Sequence, residues 1–442
     1  MAATLISLVL VIGAVAAAPK TWAVLVIEIP AAWSWYLTQN ITPGHGTIIG
    51  GTFVCVAALI AYTGTHLSRR STERIANNNN NLADNQELRR RFVTTTAQFA
   101  DPSPEVRLAG VYALEALTDD WIDRGKYTDA QICINYLCSY LTRPYTPPTE
   151  HPHLRQTVVT SDAATHIERT YQHPRDDLTV RQAITRTIVT HLKPDHHHNW
   201  SRYNYDLTGA YFHNADFTDA HFCGNTTFGK AQFHGDRTTF HRAQFHSDWT
   251  SFVEAQFRSD WTSFVEAQFR GGLTSFGEAQ FHGDWTSFGM AEFRSKRVTS
   301  FGEAQFHGDW TSFGLAQFRG GWTSFGKAQF HGDGTTFYKS QFRSKKQTSF
   351  DEAQFRSKKQ TSFDEAQFHG DWTTFYKAQF RGDQTTFYKA SFQGAETSFY
   401  SPGAWNNVYF DWDTEIPCTA EGIKPDNVKP HDWPPPVLEP MP

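Results

Sequence analysis

The chain has 442 residues, with 40 Lys plus Arg against 45 Asp plus Glu and a formal net charge of −5, room for two or three domains and too mild a charge to announce a nucleic-acid or membrane-surface partner. Its five cysteines (Cys55, Cys133, Cys138, Cys223 and Cys418) are scattered and form no Cys-x-x-Cys pair, which argues against a disulfide framework or a zinc site and for free thiols in a reducing compartment. Aromatic residues reach 15%, and most of that excess falls in one stretch.

Residues Ala2 to Ala18 form an apolar run followed by Pro19-Lys20. No Lys or Arg precedes it, so a secretory signal would lack its positive start; a membrane span and a signal both stay open. A second uncharged run, Thr47 to Gly64, is about 18 residues long, near the minimum for a bilayer span. Arg69, Arg70, Arg74 and Arg89 to Arg91 follow, and the positive-inside rule places that flank in the cytoplasm. The expectation is a membrane anchor over residues 1–67, with helices near 2–18 and 47–64. The location would be the cell membrane, with the rest of the chain cytoplasmic.

Residues 68–84, with Asn77 to Asn81, read as a polar linker. Residues 85–195 then show helical periodicity, the mark of a small all-helical module. Ser103-Pro104-Glu105 is a helix start, with Ser as cap and Pro in the first turn; Leu108, Val111, Leu114 and Leu117 fall on one face. Thr128 is the expected cap of a helix carrying Ile132, Leu137, Tyr140 and Leu141, and Val180, Ile184, Ile188 and Leu192 mark another. Asp195-His196-His197-His198 reads as solvated linker, because adjacent side chains rarely converge on one metal ion.

From Asn204 to Tyr400, 32 of the 36 phenylalanines keep a regular beat. It opens five residues apart (Phe212, Phe217, Phe222), then alternates five with seven or eight. Neither the helical nor the strand period fits; a longer fixed period means stacked units that bury their apolar faces against one another. A small residue precedes each ring by two positions, as Ala243 precedes Phe245 and Thr250 precedes Phe252, so both point inward from a short extended segment.

Ala215-Asp216-Phe217-Thr218-Asp219 resembles, position by position, the repeat of pentapeptide-repeat proteins. The segment from Glu105 to Glu115 is similar to the helical stretch between membrane anchor and repeats in many bacterial members. That resemblance implies a right-handed quadrilateral β-helix over residues 196–400, preceded by transmembrane helices and the all-α module. The longer second corner gives about 24 residues per coil and about eight coils, in a rod on the order of 40 Å long at the strand spacing of a sheet. Residues 401–442 are a tail rich in proline, extended or disordered for most of its length, with Trp405, Tyr409, Phe410 and Trp412 suited to cap the open end.

The longer corners align into two edges. One presents Trp261, Trp285 and Trp310, flanked by Arg237 and Gly334; the other presents Trp249, Leu273, Val298, Trp322 and Trp372. Two basic corners, Arg294-Ser295-Lys296-Arg297 and Arg343-Ser344-Lys345-Lys346, belong to the second edge, and Arg356-Ser357-Lys358-Lys359 to the first. These tryptophans and basic residues are the candidate interaction surface, since exposed aromatics beside Arg are enriched at interfaces; a purely structural role for the rings is the alternative. No Gly-x-Gly-x-x-Gly, Walker, Gly-x-Ser-x-Gly or His-Glu-x-x-His motif occurs, so no catalytic, cofactor or metal residues are named. The expected function is a membrane-anchored, non-enzymatic scaffold for a protein partner. Between Lys230 and Glu396 there are 20 basic against 18 acidic residues. That balance argues against DNA mimicry, the role of the pentapeptide-repeat proteins that protect DNA gyrase. Nucleic-acid binding through the basic corners and a purely structural solenoid stay as alternatives, although the basic corners are few and balanced by acids nearby.

Overall fold

The computed structural model describes residues 43–145, 156–160, 168–172, 177–413 and 422–438. The chain divides into two compact units, residues 1–89 and 90–442. A single long helix, α1 (Pro43–Gln98), supplies the described part of the first unit and enters the second. The five asparagines expected in a linker lie inside α1 and are exposed. No turn residue interrupts this stretch, and Asn lowers helix propensity too little to break it.

Among the described residues, no helix is long and apolar enough to cross a membrane. The second apolar run, residues 47–64, lies inside α1. The same helix continues without a break into Arg69, Arg70 and Arg74. This overturns the expected anchor, the membrane partner and the cell-membrane location, and with them the reading as a membrane-anchored pentapeptide-repeat protein. The run at residues 2–18 lies outside the described residues.

The second unit opens with helices α2 (Pro104–Asp123), α3 (Tyr127–Leu141) and α4 (Asp177–His191). Ser103 caps α2 as expected, with Val106 N–H donating to its Oγ at 3.5 Å. The α3 start differs: Lys126 is the N-cap and makes no side-chain cap bond, so Thr128 sits in the first turn. Frame matters here, because Cys133 and Ile134 are buried while Ile132 is exposed. Leu108 is half-buried, and Arg107 occupies the inner position beside it. The carboxylate of Asp177 makes that burial tolerable. It accepts from Arg181 Nε at 2.7 Å and from the Tyr140 hydroxyl, and Arg107 Nε lies at 3.6 Å. A paired, hydrogen-bonded buried charge avoids the penalty of an isolated one. Between α3 and α4 the strands β1 (Gln156–Thr160) and β2 (Glu168–Gln172) form an antiparallel pair.

Residues from Tyr205 onward wind into a quadrilateral β-solenoid of about nine turns, one more than the repeat count suggests because the tail adds strands. Its four parallel sheets, called faces 1 to 4 in chain order, contain 10, 9, 8 and 8 strands. Faces 1 and 3 carry three-residue strands such as Trp249–Ser251 and Trp261–Ser263; faces 2 and 4 carry two-residue strands such as Gln256–Phe257 and Gln268–Phe269.

Every coil aims its phenylalanines at the axis. Rings on one face stack nearly parallel, as Phe240 on Phe264 at 4.7 Å and 1°. Rings from faces 1 and 3 meet edge to face, as Phe240 with Phe252 at 5.4 Å and 88°. Both arrangements suit the ring quadrupole, so one residue type fills the whole core. The small inward partner is alanine on faces 2 and 4 and threonine on faces 1 and 3, and these are buried throughout the central coils.

Two kinds of corner turn the chain. The short corners, between faces 1 and 2 and between faces 3 and 4, are tight turns such as Phe276-Gly277-Glu278-Ala279, closed by Ala279 N–H donating to Phe276 O at 3.1 Å. The third residue is left-handed, with φ +56° at Glu278. The long corners, between faces 2 and 3 and between faces 4 and 1, place serine or glycine second. Ser295 and Ser344 are fully buried, whereas at Gly283 an added Cβ would lie 1.8 Å from the Ser259 carbonyl oxygen.

Both ends of the rod are covered. At the start, Gln131 of α3 exchanges two hydrogen bonds with the Asn204 backbone, each of 2.9 Å. Asp119 accepts from Trp200 Nε1 at 3.0 Å and sits 3.3 Å from His191 Nε2; His191 stacks on Trp200 at 4.0 Å. Within the histidine-rich segment, His196 packs on His191 at 4.0 Å and His198 Nε2 lies 3.1 Å from Asp123, while Asp195 and His197 stay exposed, so the solvated linker is in part a seam against the helices. At the finish, Ala404–Trp405, Val408–Phe410 and Val428–Lys429 extend three faces. Trp412 stacks on Phe410 at 4.6 Å, and Trp433 meets Phe410 edge-on at 5.1 Å. The aromatic cap forms as expected, but residues 422–438 also pack back: Val428 is fully buried and Asn427 Nδ2 donates to Gly394 O at 2.7 Å.

Candidate interaction surface

The register places the expected ladders residue by residue. Trp261, Trp285 and Trp310 pair in successive strands of face 3, with Arg237 before and Gly334 after. On face 1, Trp249, Leu273, Val298, Trp322, Gln347 and Trp372 follow one another.

The two rows differ in how their indoles meet more than in exposure, since Trp261 is 48% and Trp285 37% exposed. Face-3 indoles satisfy one another: Trp261 stacks on Trp285 at 5.5 Å and 19°, and Trp285 on Trp310 at 5.9 Å and 22°. Trp310 then lies over Gly334, whose absent side chain makes room, since a Cβ there would be 2.1 Å from the indole. On face 1 the indoles are separated by smaller residues. Trp249 is 60% exposed, Trp372 54% and Trp322 43%.

The basic corners are separated in the same way. Lys358 and Lys359 sit between faces 2 and 3, where Asp333 pairs with them at 3.9 and 2.9 Å; Lys359 holds that carboxyl below its ordinary range. This corner mixes both signs: Asp236, Asp260, Asp284, Asp309, Asp333 and Asp383 recur in successive coils apart from the one bearing Arg356, and Arg237, Arg258, Arg356, Lys358, Lys359 and Arg381 share the corner with them. The corner between faces 4 and 1 is its diagonal opposite. Over four consecutive coils it reads Arg270-Gly-Gly, Arg294-Ser-Lys-Arg, Arg319-Gly-Gly and Arg343-Ser-Lys-Lys. It therefore holds eight basic residues and no acid, and all eight are exposed.

Backbone ladders hold these coils in line. Lys296 and Arg297 N–H donate to Gly271 and Gly272 O, and Lys345 and Lys346 N–H to Gly320 and Gly321 O, each at 2.9 Å. Glu292 pairs with Arg294 at 3.1 Å and Arg270 at 3.6 Å. Among the described residues, no carboxylate pairs with Lys296, Arg297, Arg319, Lys345 or Lys346. Among the described residues the expected balance by neighbouring acids is therefore limited to Glu292, while Asp284 and Asp309, also close in sequence, fall on the opposite edge. Arg270 and Arg319 escaped the sequence reading, although each follows its face-4 Phe as Arg294 and Arg343 do.

Two other features hold no chemistry. A groove of about 510 Å3 along face 2 is lined by Gln256, Gln280 and Gln305 with Glu254, Glu278 and Glu303 beside them. Beyond these glutamines His282, His307 and His331 stack at 5.0 and 5.1 Å. Such rows are surface repeats, and the glutamate row is interrupted by Lys327, which pairs with Glu303 at 3.5 Å. Among the described residues, no group of three or more His, Cys, Asp or Glu is placed to hold a metal ion.

Compared with protein-family models, curated proteins and solved structures, the chain matches none. The pentapeptide-repeat-like solenoid is therefore a statement about its fold.

Proposed function

We propose that the protein is a non-enzymatic scaffold whose solenoid is a rigid rod presenting a binding surface to a macromolecular partner. One observation carries this reading: the corner between faces 4 and 1 keeps exposed cations without carboxylate partners, Lys296, Arg297, Arg319, Lys345 and Lys346, in successive coils with the exposed Trp322 among them. Unpaired like charges repel, and exposed tryptophan adds little to a monomer's stability. The Phe core accounts for the fold without either. Exposed indole beside Arg is the composition of an interface centre.

The test compares capture by the full chain with capture by a variant carrying Trp249→Ala, Trp322→Ala and Trp372→Ala. A binder retained by the first and lost by the second, at unchanged melting temperature, supports the scaffold. Loss of binding together with a large fall in melting temperature makes the indoles structural and overturns it.

A further inference from the structure

We propose that the basic edge between faces 4 and 1, with its adjoining tryptophans, binds single-stranded nucleic acid. The inference rests on the scaffold reading and names its partner. Eight exposed cations occupy four successive coils, which span ~14 Å at the strand spacing of a sheet. Only Glu292 opposes them within ion-pair distance, and Asp248 and Asp371 mark the coils on either side. The whole-rod balance of 20 basic against 18 acidic residues hides this edge because most of the acids are spread over the other three corners. A phosphodiester chain is the polyanion that such a row fits: its affinity comes from releasing counterions along a line of cations.

The aromatics decide between polyanions. Trp322 lies between the corners Arg294–Arg297 and Arg343–Lys346 in the face-1 register, and Lys346 Nζ sits 5.7 Å from its ring centre. Trp249, three coils before, and Trp372, two coils after, stand at the ends of the basic run and are more exposed. Unpaired bases offer π-faces to such indoles, and cations tracking a backbone beside stacking aromatics are how single strands are held without sequence preference. A duplex hides those faces, and an acidic peptide has no use for the indoles. A second copy offering the diagonal corner brings as many bases as acids, with Asp333 already paired to Lys358 and Lys359.

The experiment measures binding of a fluorescent oligothymidylate to the full chain across a salt series. Comparison ligands are the annealed duplex, polyglutamate and phosphatidylserine vesicles. Expected is salt-sensitive binding to the single strand in preference to all three. Lys296→Ala, Arg297→Ala, Lys345→Ala and Lys346→Ala together should weaken it at least tenfold and flatten the slope of log affinity against log salt by about 0.7 for each phosphate no longer neutralised. Trp322→Ala should weaken binding roughly tenfold with the slope kept. Arg258→Ala with Arg381→Ala, on the other edge, should change neither. Absence of binding, equal binding to a comparison ligand, or affinity indifferent to the four basic substitutions overturns the inference. Salt-sensitive self-association that excludes the oligonucleotide also overturns it, in favour of a second copy. If the oligonucleotide fails but indole-dependent capture persists, the scaffold stands and only the choice of partner falls; loss of both removes the scaffold as well.

Discussion

Ser295 donates its hydroxyl to Thr274 Oγ1 at 2.8 Å, joining a long corner to the inward threonine of the preceding coil. Ser344 with Thr323 and Ser357 with Thr335 repeat the bond at 2.7 and 3.0 Å. Where the corner has glycine instead, as at Gly283, Gly308, Gly320 and Gly370, the threonines one coil back (Thr262, Thr286, Thr299 and Thr348) have buried hydroxyls with no hydrogen-bond partner in the structure. Ser295→Ala should therefore destabilise the protein by about 1–3 kcal/mol, the cost of one orphaned buried hydroxyl. Adding Thr274→Val should recover most of that loss, because removing both partners leaves nothing unsatisfied. Denaturant melts of the two variants check this.

Glycine at these corners serves another purpose. Gly283→Ala drives a Cβ to within 1.8 Å of the Ser259 carbonyl, whereas Gly277→Ala meets only ordinary van der Waals neighbours, with Ser275 Oγ at 3.4 Å. The first should lower the melting temperature by several degrees, since the clash is with backbone of the next coil; the second should leave it nearly unchanged. Equal effects from the two would contradict the close stacking of the corners.

Acid should loosen the rod through its histidines. Burial lowers the pKa of His221, His246, His282, His331 and His369, and the neighbouring His307 lowers His282 and His331 further. A histidine with a folded pKa below its unfolded value binds more protons when unfolded. Its stabilising share is complete above about pH 6.5 and is lost as pH falls through the folded pKa. Melting temperature should drop between pH 7 and 5. Replacing His282, His307 and His331 with Gln should flatten that drop, and an unaltered profile would remove the ladder from the explanation.

Thiol labelling should separate the cysteines. Burial pushes Cys133 and Cys138 each up to about 12, while Cys55 and Cys223 are exposed. Because the thiolate is the nucleophile, native protein at pH 8 should be alkylated at Cys55 and Cys223, and at Cys133 and Cys138 only after unfolding. Peptide mapping gives the answer directly.

The rod was legible because one residue type repeats: Phe spacing determines which side chains face inward, and alternation of five with seven or eight fixes two long corners per coil. Trp261 and Trp285 could be aligned before any coordinates, as could Trp249 and Leu273. Local patterning fared less well in the helices, where one residue of frame exchanged Ile132 for Cys133. The membrane anchor failed because apolar character alone does not end a helix, and α1 continues past Gly64 into charge. Charge segregation was the larger omission. Asp284 and Arg294 are near in sequence, and only closure into four sides sends them to diagonal edges. The diagonal can be read from the repeat once corners are counted separately, but a summed charge conceals it.

The lid of Trp405, Phe410, Trp412 and Trp433 has a bearing on length. Each ladder of parallel strands would otherwise finish in a row of unpaired peptide groups, a template on which another chain could continue. With helices closing one end and indoles the other, the number of coils becomes a property of the gene and not of concentration. The protein is thereby a ruler of fixed gauge, and insertion of one whole coil would lengthen it by ~4.8 Å while leaving both stops in place.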